Sequence, residues 1–316
     1  MQTNSRLDAA ASHVVAGESS AAQVVTKQQI VAGLAELGVA TGMGLEVHSS
    51  LKAFGRVDGG PAAVIDALQE SVGPSGTLLL PSFNHGAAYP PGEKTGFDPK
   101  STPSTNGAIP EAFWRRDGVV RSISPTHSFA SWGRNKTRYT ADHHKTLTMG
   151  ADSPLGRLLE DDGYGLLLGV GYKSNTFHHC VETMRRAPCL GYRGEEYPVV
   201  DYNGIPRQAR TWGWRNAACP FTDTVKLQPT GVFSGVYGEE MEKQGKHKQV
   251  KVGSATLTLF RLRDCLEVLN KIFDEGYGGV PGCAGCSIRP REHERTVESD
   301  WDFSRGCLKD PSLFDW

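Results

Sequence analysis

Gly60-Pro-Ala-Ala-Val-Ile-Asp-Ala-Leu-Gln-Glu-Ser-Val72 is followed by Gly73-Pro-Ser-Gly76 and then by Thr77-Leu-Leu-Leu-Pro81. Val64, Ile65, Leu68 and Val72 return at helical spacing, which predicts a helix with one apolar face. Gly73 to Gly76 is breaker chemistry and ends it. The next run is apolar throughout and too short for a helix, so it reads as a buried strand. A helix that alternates with a buried strand is the mark of an α/β protein.

The pattern extends in both directions. Upstream, Ile30, Val31, Leu34 and Leu37 predict a helix from Thr26 to a stop at Gly38, and Gly44-Leu-Glu-Val-His48 predicts a short strand. Downstream, Phe83 to Pro110 has no periodicity and is rich in Gly, Pro, Ser, Thr and Asn, as expected of a functional loop or an insertion. Gly165-Leu-Leu-Leu-Gly-Val-Gly171 predicts a second buried strand, with Ser174-Asn-Thr176 leading into a helix through His179 and Glu182. Tyr197–Tyr202 and Val250–Val252 read as strands, Arg261–Phe273 as a helix, and the tail from Gly276 as loop. The expected fold is therefore α/β, one compact unit with a central mixed sheet flanked by helices and a sheet-rich C-terminal insertion. Residues 1–26 are expected to form a flexible tail and residues 27–316 a single domain.

Composition excludes several classes. The net charge of −1 gives no global field to attract nucleic acid or an anionic membrane. No apolar run approaches the roughly 18 residues of a spanning helix, and the N-terminus lacks the pattern of a secretory signal. Seven unevenly spaced cysteines do not make a disulfide framework, which suggests a reducing, cytoplasmic setting. A monomer or a homodimer fits equally.

Five segments follow one another along the chain: Val47-His-Ser-Ser-Leu51 with Phe54-Gly55 and Gly59-Gly60; Val72-Gly-Pro-Ser-Gly-Thr77 with Leu80-Pro81; Thr102-Pro-Ser104 and Gly107 with Arg121-Ser122, Pro125-Thr-His-Ser128 and Gly133; Gly150 with Ser153-Pro-Leu155; and Leu167-Leu-Gly-Val-Gly171 with Ser174-Asn-Thr176, His179 and Glu182. This set resembles the aminoglycoside 3-N-acetyltransferase family over Gly44 to Glu182. The resemblance implies transfer of an acetyl group from acetyl-CoA to a primary amine, the 3-amino group of a 2-deoxystreptamine aminoglycoside first among candidates, and so antibiotic resistance. It also implies direct transfer in a ternary complex. Ser124 departs from the histidine that members often carry before the proline, and Gly282–Trp316 departs from the resistance enzymes more widely.

Such a reaction needs a base for the amine, stabilisation of the thioester oxygen, and an in-line acyl donor. The resemblance selects His179 as base. Its neighbour His178 would face about 100° away on a helix, so that one of the two points into the site. Glu182, three residues on, shares the face of His179 and could orient it; the resemblance places Asp223 as a second orienter. Ser49, Ser50 and Leu51, with Phe54, are the expected cofactor-binding turn. Arg121 and Ser122 could hold phosphate, and Ser82, Thr102, Ser104 and Ser128 could line the same cleft, with His127 either nearby or simply buried. Asp161, Asp162, Asp201 and Asp223, with Glu182, could supply acid to a polycation pocket.

Other classes stay in view. A non-antibiotic amine, such as an amino sugar or metabolite, is the alternative acceptor. Cys283-Ala-Gly-Cys286, with His293 and Cys307, is the spacing of one edge of a zinc site, and with His178, His179 and Glu182 it raises a zinc deaminase or hydrolase as a remote alternative. A non-catalytic CoA-binding protein is the third reading, and an acyl-enzyme on Cys180 a fourth.

Overall fold

The structure, a computed structural model, describes residues 24–84, 96–186, 190–191, 195–215, 230–274, 300–310, 312 and 315–316. In chain order these form α1 (Lys27–Leu37), β1 (Gly44–Ser49), α2 (Gly60–Val72), β2 (Thr77–Pro81), α3 (Ala108–Trp114), β3 (Val120–Arg121), β4 (Phe129–Gly133), α4 (Lys136–Thr140), α5 (Pro154–Glu160), β5 (Tyr164–Leu168), α6 (Phe177–Met184), β6 (Leu190–Gly191), β7 (Glu195–Val200), β8 (Pro206–Thr211), β9 (Trp214–Arg215), α7 (Thr230–Lys243), β10 (His247–Val252), β11 (Ala255–Arg261), α8 (Leu262–Ile272), β12 (Trp301–Asp302) and β13 (Cys307–Leu308).

One seven-stranded sheet organises them, in the order β10-β11-β5-β1-β2-β4-β3. The middle three strands are parallel, and the flanking strands join them antiparallel, so the sheet is mixed as expected. Alternation along each strand divides the core. Leu45 and Val47 of β1, Leu78 and Leu80 of β2, and Leu166 and Leu168 of β5 pack against α1, α2 and α3. Leu79, Leu167 and Phe260 face the other way, against α5, α6, α7 and α8. A period of two sends neighbouring leucines to opposite layers, which is why these strands read as unbroken apolar runs.

Local signals explain the boundaries. Thr26 and Gln29 form a reciprocal capping box at the start of α1. Gly38 ends the helix at φ +102°, a left-handed value that glycine adopts without a Cβ clash. Val25, inside the expected tail, is buried and bridges to Val57, and residues 1–23 lie outside those described. The Phe83–Pro110 stretch contains an isolated bridge at Phe97 and the start of α3. β4, α4 and α5 were not foreseen, because each is short and carries polar residues between the apolar ones. β7 and β8 form a separate hairpin, and with the short β6–β9 and β12–β13 pairs they make up the described strands of the expected sheet-rich insertion.

Candidate functional site

The carboxyl ends of β1, β2 and β5 lie side by side, with Ser49 registered against Leu168. Ligand sites of α/β sheets gather at this edge. Gly169, just past β5, has φ +68°, and a Cβ there would come within 2.3 Å of the Ala53 Cβ, so the chain turns away from the sheet at a glycine. The chain then passes Ser174 and enters α6. A cavity of 230 Å³ opens at this edge, lined by His48, Ser49, Pro81, Asn106, Ser174 and Thr176 among others.

α6 carries the base candidate. His179 Nδ1–H donates to Glu182 Oε2 at 2.6 Å, with the imidazole 18% exposed and the carboxylate 1% exposed. With the carboxylate accepting at Nδ1, Nε2 is the basic nitrogen. Within Ser174-Asn-Thr176 the side chain that meets the helix start is Asn175, and Thr176 makes no side-chain cap. Asn175 Oδ1 accepts from Phe177 N–H at 3.2 Å, and His48 Nε2 accepts from Thr176 N–H at 3.0 Å. These two groups satisfy N–H groups that the first helical turn leaves without intrahelical partners.

His178 corrects the expectation that it diverges from His179. It is buried, donates from Nδ1–H to Asn175 O at 2.5 Å, and its ring centroid lies 3.9 Å from that of His179. In the first turn the ring leans back over Asn175, bringing the two imidazoles together. One donor atom each from His178, His179 and Glu182 lie within 4.8 Å of one another, a grouping able to hold a metal ion. Cys180 is fully buried, with Sγ 3.7 Å from Gly150 O, and burial pushes its thiol far above the usual range. A thiol so placed is a poor source of thiolate.

The expected cofactor residues divide into two groups. Ser49 lines the cavity and its Oγ has no hydrogen-bond partner among the described residues; Ser50 donates its N–H to Leu168 O, and its hydroxyl caps nothing in the 3-10 turn Leu51–Phe54 that follows. Leu51 and Phe54 pack on the core. Ser104 stands beside Asn106, on whose Oδ1 its hydroxyl donates at 3.3 Å.

The second group is placed otherwise than expected. Arg121 is 3% exposed; its guanidinium donates to Ser82 Oγ, Ser128 Oγ, Ser82 O and Thr102 O, and it lies against the rings of Phe97 and Trp114. Burial lowers its pKa to about 10, still cationic at neutral pH. Ser82, Thr102 and Ser128 do share one region with Arg121, but as a closed network that binds loop to sheet, not as a phosphate cradle. Ser122 Oγ donates to His143 Nδ1 at 2.9 Å and accepts from Phe129 N–H at 2.8 Å, so it too is committed inside. His127 is buried edge-on against Phe83, with Nδ1 2.6 Å from Thr126 Oγ1.

The acidic candidates also separate. Asp161 and Asp162 precede β5, whereas α6 follows it, so a strand of about 16 Å lies between them and the base. They pair instead with Arg138 and Arg263. Asp201 is in the β7–β8 turn, where it pairs with Arg207. Asp223, Cys283, Cys286 and His293 lie outside the described residues, and Cys307 is a half-buried free thiol on β13. Sequence reasoning passed over His48, Glu46 and Asn106. His48 stood within a quoted motif, and strand alternation places Glu46 on its face.

A second cavity, of 560 Å³, lies between the β7–β8 hairpin and the 96–102 segment, lined by Phe97, Asp98, Thr102, Val199 and Arg207 among others. It holds no histidine and no cysteine among its described residues. Among the described residues no helix is long and apolar enough to cross a membrane.

Residues 47–274 match the aminoglycoside 3-N-acetyltransferase family. The chain belongs to the aminoglycoside 3-N-acetyltransferase family. It is an acyltransferase of that kind. It is 32% identical to aminoglycoside N(3)-acetyltransferase VII of Streptomyces paromomycinus, over 83% of this chain and 96% of that one. A histidine-to-alanine mutant of aminoglycoside acetyltransferase AAC(3)-IVa in complex with a gentamicin superposes with a TM-score of 0.68 at 27% identity, covering 84% of this chain and 95% of that one. The binary complex of AAC-IIIb with CoASH gives 0.67 at 27% identity, over 81% and 98%.

Proposed function

We propose that this enzyme transfers an acetyl group from acetyl-CoA to the 3-amino group of a 2-deoxystreptamine aminoglycoside, directly, in a ternary complex. The observation that carries the reading is the His179–Glu182 couple on α6, beside a cavity at the carboxyl edge of the sheet. His179 Nε2 takes a proton from the attacking amine as its nitrogen bonds to the thioester carbon. The C–S bond then breaks, and the departing CoA sulfur takes up a proton. Glu182 holds the imidazole with Nδ1 protonated and stabilises the cation formed when Nε2 is protonated too. Ser49 and Ser50 serve the pantetheine arm through their hydroxyls at the strand end. Transfer is direct because Cys180, the thiol beside the base, is buried and protonated. A relative crystallised with CoASH and another with a gentamicin support the donor and the acceptor class.

The test is incubation with acetyl-CoA and gentamicin, kanamycin or neomycin, followed by mass spectrometry. One acetyl group replacing one hydrogen on the drug is expected. Acetylation of an unrelated amine with none on these drugs would retain the base and overturn the acceptor.

A further inference from the structure

α6 opens Phe177-His-His-Cys-Val-Glu182, and its first turns gather two imidazoles and a carboxylate at one place. One donor atom from each of His178, His179 and Glu182 lies within 4.8 Å of the other two. Around a tetrahedral zinc ion, with bonds of about 2.1 Å, donor atoms sit about 3.4 Å apart, so small side-chain rotations close the set. The histidine rings are already together, centroids 3.9 Å apart, and His179 Nδ1 is 2.6 Å from Glu182 Oε2. His178 has the bond that a metal-binding histidine needs. Its Nδ1–H donates to Asn175 O at 2.5 Å, which makes Nε2 the nitrogen with the lone pair. A ligating histidine almost always gives its other ring N–H to a carbonyl or carboxylate in this way, and the bond fixes the tautomer. Glu182 is buried, and a cation stabilises a carboxylate more where water screens it less. Imidazole nitrogen with carboxylate oxygen suits zinc, whereas calcium and magnesium take oxygen ligands. The couple of His48 and Glu46 on β1, 2.8 Å apart, makes no such set, for it lacks a third ligand among the described residues.

We propose that His178, His179 and Glu182 form an inhibitory zinc site built on the catalytic couple. Inhibition follows from the lone pairs. A neutral imidazole has one nitrogen lone pair to give. Zinc bound at Nε2 of His179 occupies the nitrogen that takes the amine proton. Zinc bound at Nδ1 displaces the hydrogen held toward Glu182; the ring then keeps its hydrogen on Nε2, which accepts nothing. Either geometry removes the base, so the enzyme is off while the metal is bound. His178 takes no part in acyl transfer. It is the third ligand, and it raises the affinity for zinc above what His179 and Glu182 give as a pair. The loss of activity rests on the proposed reaction and its base; the metal site rests on the geometry of α6 alone.

The experiment uses the full chain, first stripped of metal with a chelator. Zinc binding is measured by calorimetry for wild type and for His178→Asn, whose amide N–H can keep the bond to Asn175 O. The substitution should weaken one zinc equivalent by at least about 10- to 100-fold, the loss that removing even an outer partner of a ligand brings. Unchanged binding in the variant, or none in wild type, overturns the site. Cobalt(II) in place of zinc gives a reading that needs no variant. Proton NMR of the cobalt-loaded wild type should show two far-shifted imidazole N–H signals, and their absence overturns the site even if His178→Asn fails to fold. Acetyl transfer is then assayed with free zinc fixed by a metal buffer, since the CoA thiol also binds zinc. Saturating zinc should lower the wild-type rate by about 10² to 10⁴, as loss of a general base does, and the chelator should restore it. His178→Asn should keep most of its metal-free rate and hold it at those zinc concentrations. Zinc bound through His178 with the rate unchanged would keep the site, overturn the inhibition and remove His179 as base. A chain that acetylates none of the amines would overturn the proposed function, and calorimetry with the cobalt spectrum would still decide the site.

Discussion

β1 and β5 pair over Leu45–Ser49 and Tyr164–Leu168 in the middle of the sheet, with helices on both faces. The β7–β8 hairpin pairs with itself over Glu195–Val200 and Pro206–Thr211, and along β8 only Ala209 is buried. It meets the rest through a bridge from Val199 to Phe97, a small apolar cluster of Phe97, Ile123, Val199 and Ala209, and hydrogen bonds such as those of Tyr202 to Arg121 O and of Arg210 to Asp300. In the first region a slip of one residue would exchange two cores, so the register is tightly specified. Groups at its strand ends are placed to the accuracy chemistry needs. Most of β8 is exposed or half-buried, so fewer of its side chains carry that constraint. The comparison assigns chemistry to the sheet edge and shape to the hairpin, and each prediction below tries that division.

The largest effect is expected at His179. His179→Ala should lower kcat by about 10² to 10⁴, the usual worth of a general base. CoA affinity by calorimetry should be unchanged, because the imidazole lies a turn beyond the cavity lining. Retention of more than about a tenth of kcat would move the base elsewhere and remove the chemistry from α6.

The second prediction concerns stability on the sheet side. His143 joins Ser122 to Thr148 O, accepting at Nδ1 and donating from Nε2. Burial holds its pKa down at about 4, against 6.5 for the free side chain. The unfolded chain therefore binds the proton more readily than the folded one. Stability is full above pH 6.5 and falls as the pH drops from there toward 4. The loss from this group approaches about 3 kcal/mol, near two decades in the folding equilibrium. Urea unfolding at several values in that window, for wild type and His143→Gln, measures it. An equally steep acid loss in the variant would show that other groups carry it.

The sequence made the sheet edge legible because its signals there agree. The capping box at Thr26, the apolar face of Gly60–Val72 and the run at Thr77–Pro81 each have one local solution. His179 and Glu182 were legible through helical spacing and family resemblance together. Arg121 was misread because type and motif cannot say whether a guanidinium faces a ligand or a ring of buried carbonyls. The acidic set was misread because Asp161 and Glu182 are near in sequence but sit beyond opposite ends of β5. His48 and Glu46 remained hidden because their meaning depends on Thr176, 128 residues on in the chain.

Ser49→Ala with Ser50→Ala should weaken CoA binding roughly 5- to 100-fold, at about 0.5–1.5 kcal/mol for each lost bond. Among the described residues the Ser49 hydroxyl at the cavity has no partner, so its removal leaves none of their groups newly unpaired. The melting temperature should therefore hold while affinity falls. Unchanged affinity would take the cofactor away from the β1 end, and the 560 Å³ cavity under the hairpin would be the next place to look.

The smallest effect is expected on the hairpin. Arg210 donates to Glu196 Oε1 at 2.6 Å and to Asp300 Oδ2 at 3.1 Å, and Trp212 Nε1–H donates to the same Asp300 oxygen at 3.0 Å. The guanidinium is 21% exposed and Glu196 56% exposed, so solvent screens much of the attraction. Arg210→Ala should cost at most about 1 kcal/mol of stability and leave kcat within about twofold. Three outcomes are informative. Unchanged kinetics would leave the hairpin as scaffold. A changed KM for the amine with kcat intact would make it the acceptor wall, sharpening the division between shape and chemistry. A fall in kcat comparable to that of His179→Ala would break the division, since a screened ion pair on a self-paired hairpin would then be setting the geometry of a base held by α6.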